Sequence, residues 1–471
     1  MNESPDRAGW PRRPPRKARR RVIAVGYGEE EQRRAAGCIG RPATGGDSFT
    51  DSEDPLVLDV ERLTFGFDAL AHHGRQVVFV PYGAPQDRVQ AEVVERRGGY
   101  LRARIAAILV PGPARVLPGC RYFPTCGGCQ WQQVAPPAQR DAKAAIVAEQ
   151  LARVAGVRDA EVLPTVPSPA DWHYRARITL AVEGRRAGYR RARSHDLVEI
   201  ADCPLADPVV SAHLEAARAW VAALRVPLRR VTLSAAPGGV VLAASATARP
   251  GPADLEASEA LLARTAGVRG TVVTGAGARL VAGDPTVRVA LEPGLALEVP
   301  ADVFTQVNPG ANRRLVETVV ALGAFAPGAR VLDLYCGAGN LSLPLARRGV
   351  TVLGIERSGV AVEAARANAA RLRLAGATFR TGDVTRALGE LPAGSVDAVV
   401  LDPPRAGAAD AVPALVALRP RRILYVSCDA ATLARDVHGL AAAGYRLERV
   451  QPIDVFPQTY HVESVAKLRL T

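Results

Sequence analysis

The chain has 471 residues, of which 48% are hydrophobic and 23% are charged. This length and composition allow about three packed domains and exclude global disorder. The 60 Lys and Arg residues exceed the 47 Asp and Glu residues, and the net charge of +13 favours a polyanionic partner such as nucleic acid. Seven cysteines are too few for a secreted disulfide scaffold. Because no run of about 18 apolar residues is present either, we expect a cytoplasmic protein without a membrane partner.

The first 53 residues contain a basic run followed by a mixed-charge stretch without hydrophobic periodicity. The cations of the run are Arg12, Arg13, Arg16, Lys17, Arg19, Arg20 and Arg21. Such a segment buries too little apolar surface to order itself, so residues 1–53 are predicted to be a disordered basic extension. A basic arm that touches RNA is the alternative.

Residues 54–111 are predicted to form a small β-barrel of the OB-like kind. Short strand-like runs separated by glycines support this, namely Leu56–Leu63, Gln76–Tyr82, Arg88–Glu95 and Tyr100–Leu109. Such barrels often bind single-stranded nucleic acid. Residues 66–69 and 74–80 also resemble a TRAM domain, an RNA-binding barrel that is attached to RNA-modifying enzymes.

Residues 112–300 are predicted to form a central α+β domain. A helical pattern covers Ala138–Val154, and this helix is expected to pack on the domain that follows, residues 301–471. Tyr174–Arg177 and Tyr189–His195 combine basic and aromatic side chains within β-type runs. Arginines there could meet phosphates while tyrosines stack on an unpaired base. A solvated sheet face is the alternative.

Residues 301–471 are predicted to form an α/β domain. Strand-like runs start near Arg330, Thr351, Ala377, Val396, Arg421, Tyr445 and His461. Helical patterns such as Gly359–Leu374 and Ala431–Ala443 lie between most of them, which predicts a mostly parallel seven-stranded sheet with helices on both faces. No helical pattern separates the last two runs, so they should form an antiparallel hairpin at one edge.

Polar residues and turn glycines mark the ends of four successive predicted strands. They are Asp333, Gly337, Gly339, Glu356, Asp383 and Asp402. The carboxyl ends of parallel strands meet at one edge of the sheet, where nucleotides bind. The set resembles the class I S-adenosylmethionine-dependent methyltransferases, which have a Rossmann-like fold. The resemblance implies that Asp333 and the glycine turn hold the methionine end, Glu356 the ribose, and that Asp383 lies by the adenine.

The run 423–429 brings Cys428 to the same edge of the sheet. Carbon 5 of uracil is a weak nucleophile, but a thiolate that adds to carbon 6 makes carbon 5 reactive toward a sulfonium methyl. A base must then remove the proton from carbon 5, and Glu463, near the start of the last strand, could face Cys428. A buried inert thiol is the alternative for a lone cysteine.

The arrangement closely resembles the RNA 5-methyluridine methyltransferase family from about residue 56 to the C-terminus. The matching motifs lie at residues 304–308, 333–340, 402–405, 427–429 with 432–436, and 454–459 with 461–463. The resemblance implies that Cys428 is the nucleophile and Glu463 the base. It also implies cofactor contacts by Gln306, Tyr335, Glu356 and Asp402, the last also near the uracil. Ala430 departs from the family, which usually has proline there, and could loosen the loop after Cys428.

Four cysteines are candidate metal ligands. Cys120, Cys126 and Cys129 lie in a glycine-containing loop, and Cys203 lies far downstream before a proline. Zinc sites more often use two close pairs, whereas a remote cysteine before proline suits a 4Fe–4S cluster. The spacing resembles the cluster of the 23S rRNA branch of the family. We expect a structural cluster, with zinc and unligated thiols as alternatives.

These features predict a monomeric, cytoplasmic RNA (uracil-5-)-methyltransferase. It would use S-adenosyl-L-methionine to methylate a uridine in a loop or single strand, most plausibly of 23S rRNA, through a covalent cysteine–uracil intermediate. The same chemistry on tRNA is the first alternative, and cytosine carbon-5 methylation is a chemical runner-up. A non-catalytic RNA-binding iron–sulfur protein is the alternative from another class.

Overall fold

The computed structural model describes residues 55–471, so the predicted basic extension lies outside the described residues. The first unit is a closed barrel with the strand order β1-β2-β3-β5-β4. Its strands are β1 Leu56–Leu63, β2 Asp68–His73, β3 Gln76–Pro81, β4 Arg88–Arg97 and β5 Tyr100–Val110. The predicted barrel is confirmed with one strand more than the sequence indicated. The pattern of β2 is faint because Asp and Ala are weak strand formers.

A long connection leads from the barrel through the cysteine loop, residues 120–129, to helix α1, Pro136–Gln150. Two prolines open α1, where their missing N–H groups cost no intrahelical bond. The helix continues as a π-helical turn, Leu151–Ala155, which stops at Gly156 with a φ of 72°. This confirms the helix predicted over Ala138–Val154. The short strand β6, Glu161–Val162, follows.

The central segment forms a seven-stranded sheet with the order β13-β12-β11-β10-β7-β8-β9. Its elements are β7 Arg177–Glu183, β8 Arg186–Arg190, β9 Leu197–Val198, α2 Pro208–Ala212, α3 Leu214–Ala223, β10 Leu228–Ala236, β11 Gly239–Ala246, α4 Pro252–Arg264, β12 Val268–Gly275 and β13 Ala278–Gly283. One apolar core joins Trp220 of α3 to Leu233 and Leu242 of the sheet. Thr179 of β7 and Arg230 of β10 are exposed, so solvent reaches the sheet at these positions.

The C-terminal part begins with a two-stranded hairpin, β14 Thr286–Glu292 and β15 Leu295–Pro300. The remaining elements are α5 Pro309–Gly323, β16 Arg330–Leu334, α6 Ser342–Arg347, β17 Thr351–Glu356, α7 Gly359–Arg371, β18 Ala377–Thr381, α8 Val384–Gly389, β19 Ala398–Leu401, a 3-10 turn Ala409–Ala411, α9 Val412–Leu418, β20 Arg422–Ser427, α10 Ala430–Ala442, β21 Tyr445–Ile453 and β22 Glu463–Leu470. Val289 and Leu297 of the hairpin share the core of the catalytic sheet, although the predicted boundary at residue 300 falls after them.

The catalytic sheet contains eight strands in the order β18-β17-β16-β19-β20-β22-β21-β6. Strands β16 to β20 pair in parallel, while β22 runs antiparallel to both β20 and β21, which confirms the predicted hairpin. The prediction of seven strands is wrong by one, because β6 pairs with β21 through only two residues and carries no periodicity of its own. α1 and its π-helical turn pack on α10. Within residues 55–471, no helix is long and apolar enough to cross a membrane.

Candidate active site

The glycine turn after β16 packs closely against Leu343 of α6. Gly337 and Gly339 have φ values of 53° and 93°, a left-handed conformation that favours glycine. A Cβ on Gly339 would lie 3.0 Å from Cγ of Leu343, so a side chain at this position would require Leu343 to shift. Tyr335 also has a positive φ of 61°, an unusual conformation for a residue with a side chain that is found most often at binding sites.

Asp333, the penultimate residue of β16, is a buried carboxyl group with one free oxygen. Its Oδ2 accepts a hydrogen bond from the Ser342 hydroxyl, while Oδ1 has no partner. Burial raises the pKa of Asp333 to about 7, although the Ser342 hydrogen bond opposes this rise. A buried oxygen without a donor is costly, so the site is suited to a ligand that carries a cationic N–H group.

Five of the eight predicted cofactor residues line one cavity at the edge of the sheet. They are Gln306, Asp333, Tyr335, Gly337 and Asp402. Phe304 and Leu297 contribute apolar walls. Gln306 precedes α5 and Asp402 follows β19, so the fold brings distant motifs of the sequence to one edge of the sheet.

The other three predicted cofactor residues lie around this cavity rather than on its lining. Gly339 lies in the turn and packs against Leu343 of α6. Glu356 accepts hydrogen bonds from the backbone N–H groups of Gly337, at 3.3 Å, and Ser358, at 2.7 Å. Asp383 accepts a hydrogen bond of 3.1 Å from the N–H of Arg386, and thereby caps α8.

Cys428 follows β20 directly and is half-buried. Ser427 is paired with Ser464 of β22, so Cys428 and Glu463 come next on these antiparallel strands. Burial raises the pKa of the Cys428 thiol to about 12, and the nearby Glu463 adds to the rise. The positive charge of Arg405 acts in the opposite direction and favours the thiolate. The structure thus brings together the two predicted catalytic residues.

Glu463 is buried, with 2% of its surface exposed, and its Oε1 has no hydrogen-bond partner. Burial raises the pKa of Glu463 well above its usual range, and the neighbouring Asp402 raises it further. Burial also raises the pKa of Asp402, to about 7. Asp402 can therefore exchange a proton near neutral pH, and the raised pKa of Glu463 makes its carboxylate a stronger base than one in water.

Arg405 is a site residue whose part the sequence pattern did not reveal. Its Nη2 lies 3.3 Å from Nε2 of His461. Burial lowers the pKa of His461 to about 3, and the charge of Arg405 lowers it as well, so the imidazole is neutral and can accept from the guanidinium. In the sequence, Arg405 is only the last residue of the motif at residues 402–405, with no role of its own.

Asp436 of α10 supports the loop that carries Arg405. Its Oδ2 accepts hydrogen bonds from the N–H of Ala408 at 2.7 Å and from the hydroxyl of Tyr425 at 2.6 Å. The side chain of Arg435 pairs with the other oxygen at 2.7 Å. The motif at residues 432–436 therefore acts through loop geometry rather than by touching the cavity.

The predicted metal ligands Cys120, Cys126, Cys129 and Cys203 line one cavity together with Arg175. Burial raises the pKa of Cys126 to about 11 and that of Cys129 to about 12. Within the described part of the chain, no group of three or more His, Cys, Asp or Glu side chains is arranged to hold a metal ion. The four thiols thus share a cavity without forming a preset coordination site.

The two predicted RNA-contacting segments, Tyr174–Arg177 and Tyr189–His195, differ in how far they are exposed. Tyr174 is buried, and its hydroxyl donates a hydrogen bond of 2.9 Å to the carbonyl of Pro457. The expectation that Tyr174 stacks on a base is therefore wrong, because its ring is already packed inside the protein. The second segment contributes to an open groove, the arginine groove, formed by Phe67, Arg190, Arg191, Arg193, Arg229 and Arg230 with neighbouring backbone.

A family model described as a methyltransferase domain matches residues 326–427. The 23S rRNA (uracil(1939)-C(5))-methyltransferase of Alkalilimnicola ehrlichii is 37% identical over 433 residues, which cover 88% of this chain and 96% of that protein. The enzyme of the same name from Thiobacillus denitrificans is 36% identical over 430 residues, or 87% and 98% of the two chains. This chain belongs to the 23S rRNA uracil-C5 methyltransferase family.

A solved structure places this family member among RNA methyltransferases of known fold. The Pyrococcus abyssi tRNA (uracil-54, C5)-methyltransferase in complex with S-adenosyl-L-homocysteine aligns with a TM-score of 0.66 at 25% identity, over 88% of this chain and 100% of that chain. The predicted class I fold, RNA uracil-C5 methyltransferase activity and S-adenosylmethionine cofactor are thereby confirmed. The alternatives of a non-catalytic protein and of a cytosine methyltransferase are wrong.

Proposed function

We propose that this enzyme methylates carbon 5 of one uridine in 23S rRNA through a covalent bond between Cys428 and the uracil ring. The observation that carries the proposal is the juxtaposition of Cys428 and Glu463 on adjacent antiparallel strands, beside Asp402 of the cofactor cavity. The named relatives act on uracil 1939 of 23S rRNA, which supports this substrate.

The chain's residues fit S-adenosyl-L-methionine, which supplies an electrophilic sulfonium methyl group when bound. The free Oδ1 of Asp333 would accept from the ammonium group of the methionine end. Glu356, held by the N–H groups of Gly337 and Ser358, would accept from the ribose hydroxyls. Gln306, Tyr335, Gly337 and Asp402 would contact the cofactor from the cavity walls, Gly339 would keep the turn close, and Asp383 would lie by the adenine.

The reaction begins when the thiolate of Cys428 adds to carbon 6 of the uracil. The electron pair of the ring double bond moves toward the carbonyl oxygen at carbon 4, and carbon 5 would then bond to the methyl group while the bond between the methyl group and the sulfonium sulfur breaks and its electron pair stays on the sulfur. Glu463 removes the remaining proton from carbon 5, the double bond re-forms, and the carbon–sulfur bond breaks to return the Cys428 thiolate. Arg405 favours the thiolate at the beginning and at the end of this cycle.

Two substitutions test the assigned roles. Glu463→Gln should accumulate a covalent enzyme–RNA adduct, because the thiolate can add but the carbon 5 proton stays in place. Cys428→Ala should form none. Denaturing gel electrophoresis with labelled RNA measures both, and an adduct formed by the Cys428→Ala enzyme would contradict the assignment of the nucleophile.

The choice of RNA needs its own experiment, because the solved relative acts on a tRNA uracil. Nucleoside analysis of rRNA and tRNA from cells that lack the protein should reveal loss of 5-methyluridine from 23S rRNA. Loss of 5-methyluridine from tRNA alone would mean that the substrate of this enzyme is a tRNA. The predicted cytoplasmic location and monomeric state stay predictions.

We also propose that Cys120, Cys126, Cys129 and Cys203 hold a 4Fe–4S cluster with a structural role. Their position around one cavity supports it, because four thiols at one site match the four cysteine ligands of such a cluster. Protein purified without oxygen should be brown and contain about four iron atoms per chain. A colourless protein with one equivalent of zinc would overturn this assignment.

A further inference from the structure

A fully buried ion pair joins α1 to the segment that leads into Glu463. Nζ of Lys143 lies 2.5 Å from Oδ1 of Asp454, and the two side chains are 0% and 1% exposed. Lys143 also donates a hydrogen bond of 3.0 Å to the carbonyl of Phe456. Burial lowers the pKa of Lys143, while the adjacent Asp454 opposes this change. Asp454 starts the base loop, defined here as residues 454–462 between β21 and β22.

A second contact between the same elements is made by two buried amide side chains. Nε2 of Gln139 donates to Oε1 of Gln458 at 3.0 Å, and Oε1 of Gln139 accepts from the backbone N–H of Gln458 at 2.8 Å. Gln139 lies one helical turn before Lys143 on the buried side of α1. Both contacts therefore come from a single helix face and reach opposite ends of one short stretch of the base loop.

The cysteine loop adds a third contact. The backbone N–H groups of Gln130 and Trp131, which follow Cys129 directly, both donate to the carbonyl of Gln458, at 3.1 and 3.0 Å. Gln458 itself has a φ of 69°, which a residue with a side chain rarely adopts. The loop conformation is thus imposed by its neighbours in the central segment and not by its own preference.

These contacts act close to the base. Glu463 pairs with Ile453 of β21, the residue directly before Asp454, so the base loop begins and ends at this pair. Lys143 and Gln139 hold the loop at its start and middle. A buried ion pair adds little stability compared with apolar side chains of the same size, but it holds the two groups that it joins in one arrangement. Because this pair lies at the start of the base loop, it fixes the position of the backbone next to Glu463.

We propose that Lys143 and Gln139 are positioning residues that hold Glu463 in place to remove the carbon 5 proton. The proposal rests on the proposed function, in which Glu463 is the base. Neither residue lines the cofactor cavity, and neither contacts Cys428, so they should matter for release of the methylated product more than for thiolate addition. The hydrogen bonds from Gln130 and Trp131 to Gln458 connect the cysteine loop to the same base loop.

The test compares adduct formation with adduct release. Gln139→Met removes both amide bonds to Gln458, together with the bonds from Nε2 of Gln139 to the carbonyls of Trp131 and Val134. The double substitution Lys143→Met with Asp454→Leu replaces the ion pair without leaving an unpaired buried charge. With labelled RNA and S-adenosyl-L-methionine, each enzyme should form adduct at close to the wild-type rate. Release of the methylated RNA should be slower by on the order of tenfold to 100-fold, because a misplaced base removes the proton from carbon 5 more slowly by a factor of that size. Adduct should therefore accumulate on a denaturing gel.

Gln133→Met is the matched control. Gln133 is a buried amide from the same stretch of chain, but its Nε2 donates to the carbonyl of Gly83 in the barrel, at 3.3 Å. This variant should lose a buried hydrogen bond of the same kind and still release product at the wild-type rate. Accumulation of adduct by the control would mean that any loosening of this region has the effect, and would overturn the specific role of Lys143 and Gln139.

Glu463→Gln is run in parallel to keep the two proposals apart. If it accumulates adduct while the Gln139→Met and double variants release product normally, the positioning role is wrong and the base assignment stands. If it accumulates none, the assignment of the base fails first. Variants that keep the wild-type melting temperature but form no adduct would also overturn the positioning role. Should the double variant fail to fold, Gln139→Met decides.

Discussion

At the scale of single residues, the free buried oxygen of Asp333 makes cofactor binding dependent on pH. Burial raises the pKa of Asp333 to about 7, so below this pH the carboxyl group is protonated and attracts an ammonium group weakly. A bound ammonium stabilises the ionised form, and binding must then release a proton. The affinity for S-adenosyl-L-homocysteine should rise by up to about tenfold per pH unit below 7 and level off above it.

Calorimetry between pH 5 and 8, in buffers with different heats of ionisation, measures both the affinity and the proton release. Asp333→Asn should bind more weakly at pH 8 and lose most of the pH dependence, since its amide cannot ionise. An affinity of the natural enzyme that is constant from pH 5 to 8 would disagree with a protonated Asp333. Burial also raises the pKa of Asp402 to about 7. Ionisation of Asp402 would therefore account for any pH dependence of binding that the Asp333→Asn enzyme retains.

The sequence alone predicted Cys428 and Glu463, because their chemistry requires these residue types and the motifs around them are specific. It did not reveal Arg405, because a guanidinium near a thiolate becomes visible only when the loop after β19 folds back toward His461. That Lys143 has a buried partner could have been predicted from the sequence. A lysine on the same helix face as Ile146 and Val147 must be paired when that face is buried.

At the scale of secondary-structure elements, Asp436 connects three pieces of the catalytic sheet through buried hydrogen bonds. Replacing it by Ala leaves the hydroxyl of Tyr425 without its acceptor, while the N–H of Ala408 keeps a hydrogen bond of 3.0 Å to that hydroxyl. We expect the free energy of unfolding to fall by about 1 to 3 kcal/mol, because one buried donor loses its acceptor. Tyr425→Phe removes the hydroxyl that donates to Asp436 and accepts from Ala408, but leaves Asp436 as the acceptor of the Ala408 N–H, and should cost about 1 kcal/mol.

Denaturant unfolding followed by circular dichroism measures both changes, and Thr432→Ala serves as a nearby substitution on the same helix. Thr432 donates through its hydroxyl only to the carbonyl of Asp429, at 3.2 Å, so its loss should cost less than that of Asp436. Equal stability of the Asp436→Ala and natural proteins would mean that water satisfies the hydroxyl of Tyr425, and that the loop does not depend on α10.

Element boundaries followed from the sequence wherever a strand or helix has its own hydrophobic period. The alternation from β16 to β22 and the extent of α1 are examples. β6 escaped prediction because two residues have no period, and its strand character exists only through pairing with β21. Tyr174 was misjudged for a related reason. A Tyr-Arg pair reads the same in the sequence whether it faces RNA or a carbonyl of Pro457 inside the protein.

At the scale of the whole molecule, the arginine groove extends from the barrel to the central sheet. Phe67 belongs to the barrel and Arg190 to the sheet, and both line the groove beside the cysteine loop residues Gly127 and Gly128. Phe67 and Phe65 also pack against Tyr460 of the base loop, with ring centroids 6.1 and 5.5 Å apart. A strand of RNA along this groove would therefore lie near both the barrel and the catalytic residues.

Three of the five groove arginines, Arg190, Arg191 and Arg193, are already paired with acids, which limits how much charge they offer to RNA. Arg190 contacts Glu183, and Arg191 lies 3.7 Å from Asp196. Phosphate groups would replace these carboxylates as partners. Replacing Arg190 and Arg191 by Ala should weaken RNA binding and reduce the slope of log affinity against log salt concentration by at most about 1.4, the value for two phosphate contacts on a single strand.

Filter binding of labelled rRNA fragments at several salt concentrations measures this slope. Arg446→Ala with Arg469→Ala is the matched control, because both arginines are exposed and paired in register at the ends of β21 and β22 that lie farthest from Cys428. This double variant removes the same net charge without touching the groove. A smaller slope for the groove variant alone places the RNA there, whereas equal slopes for the two variants would mean that only overall charge attracts the RNA.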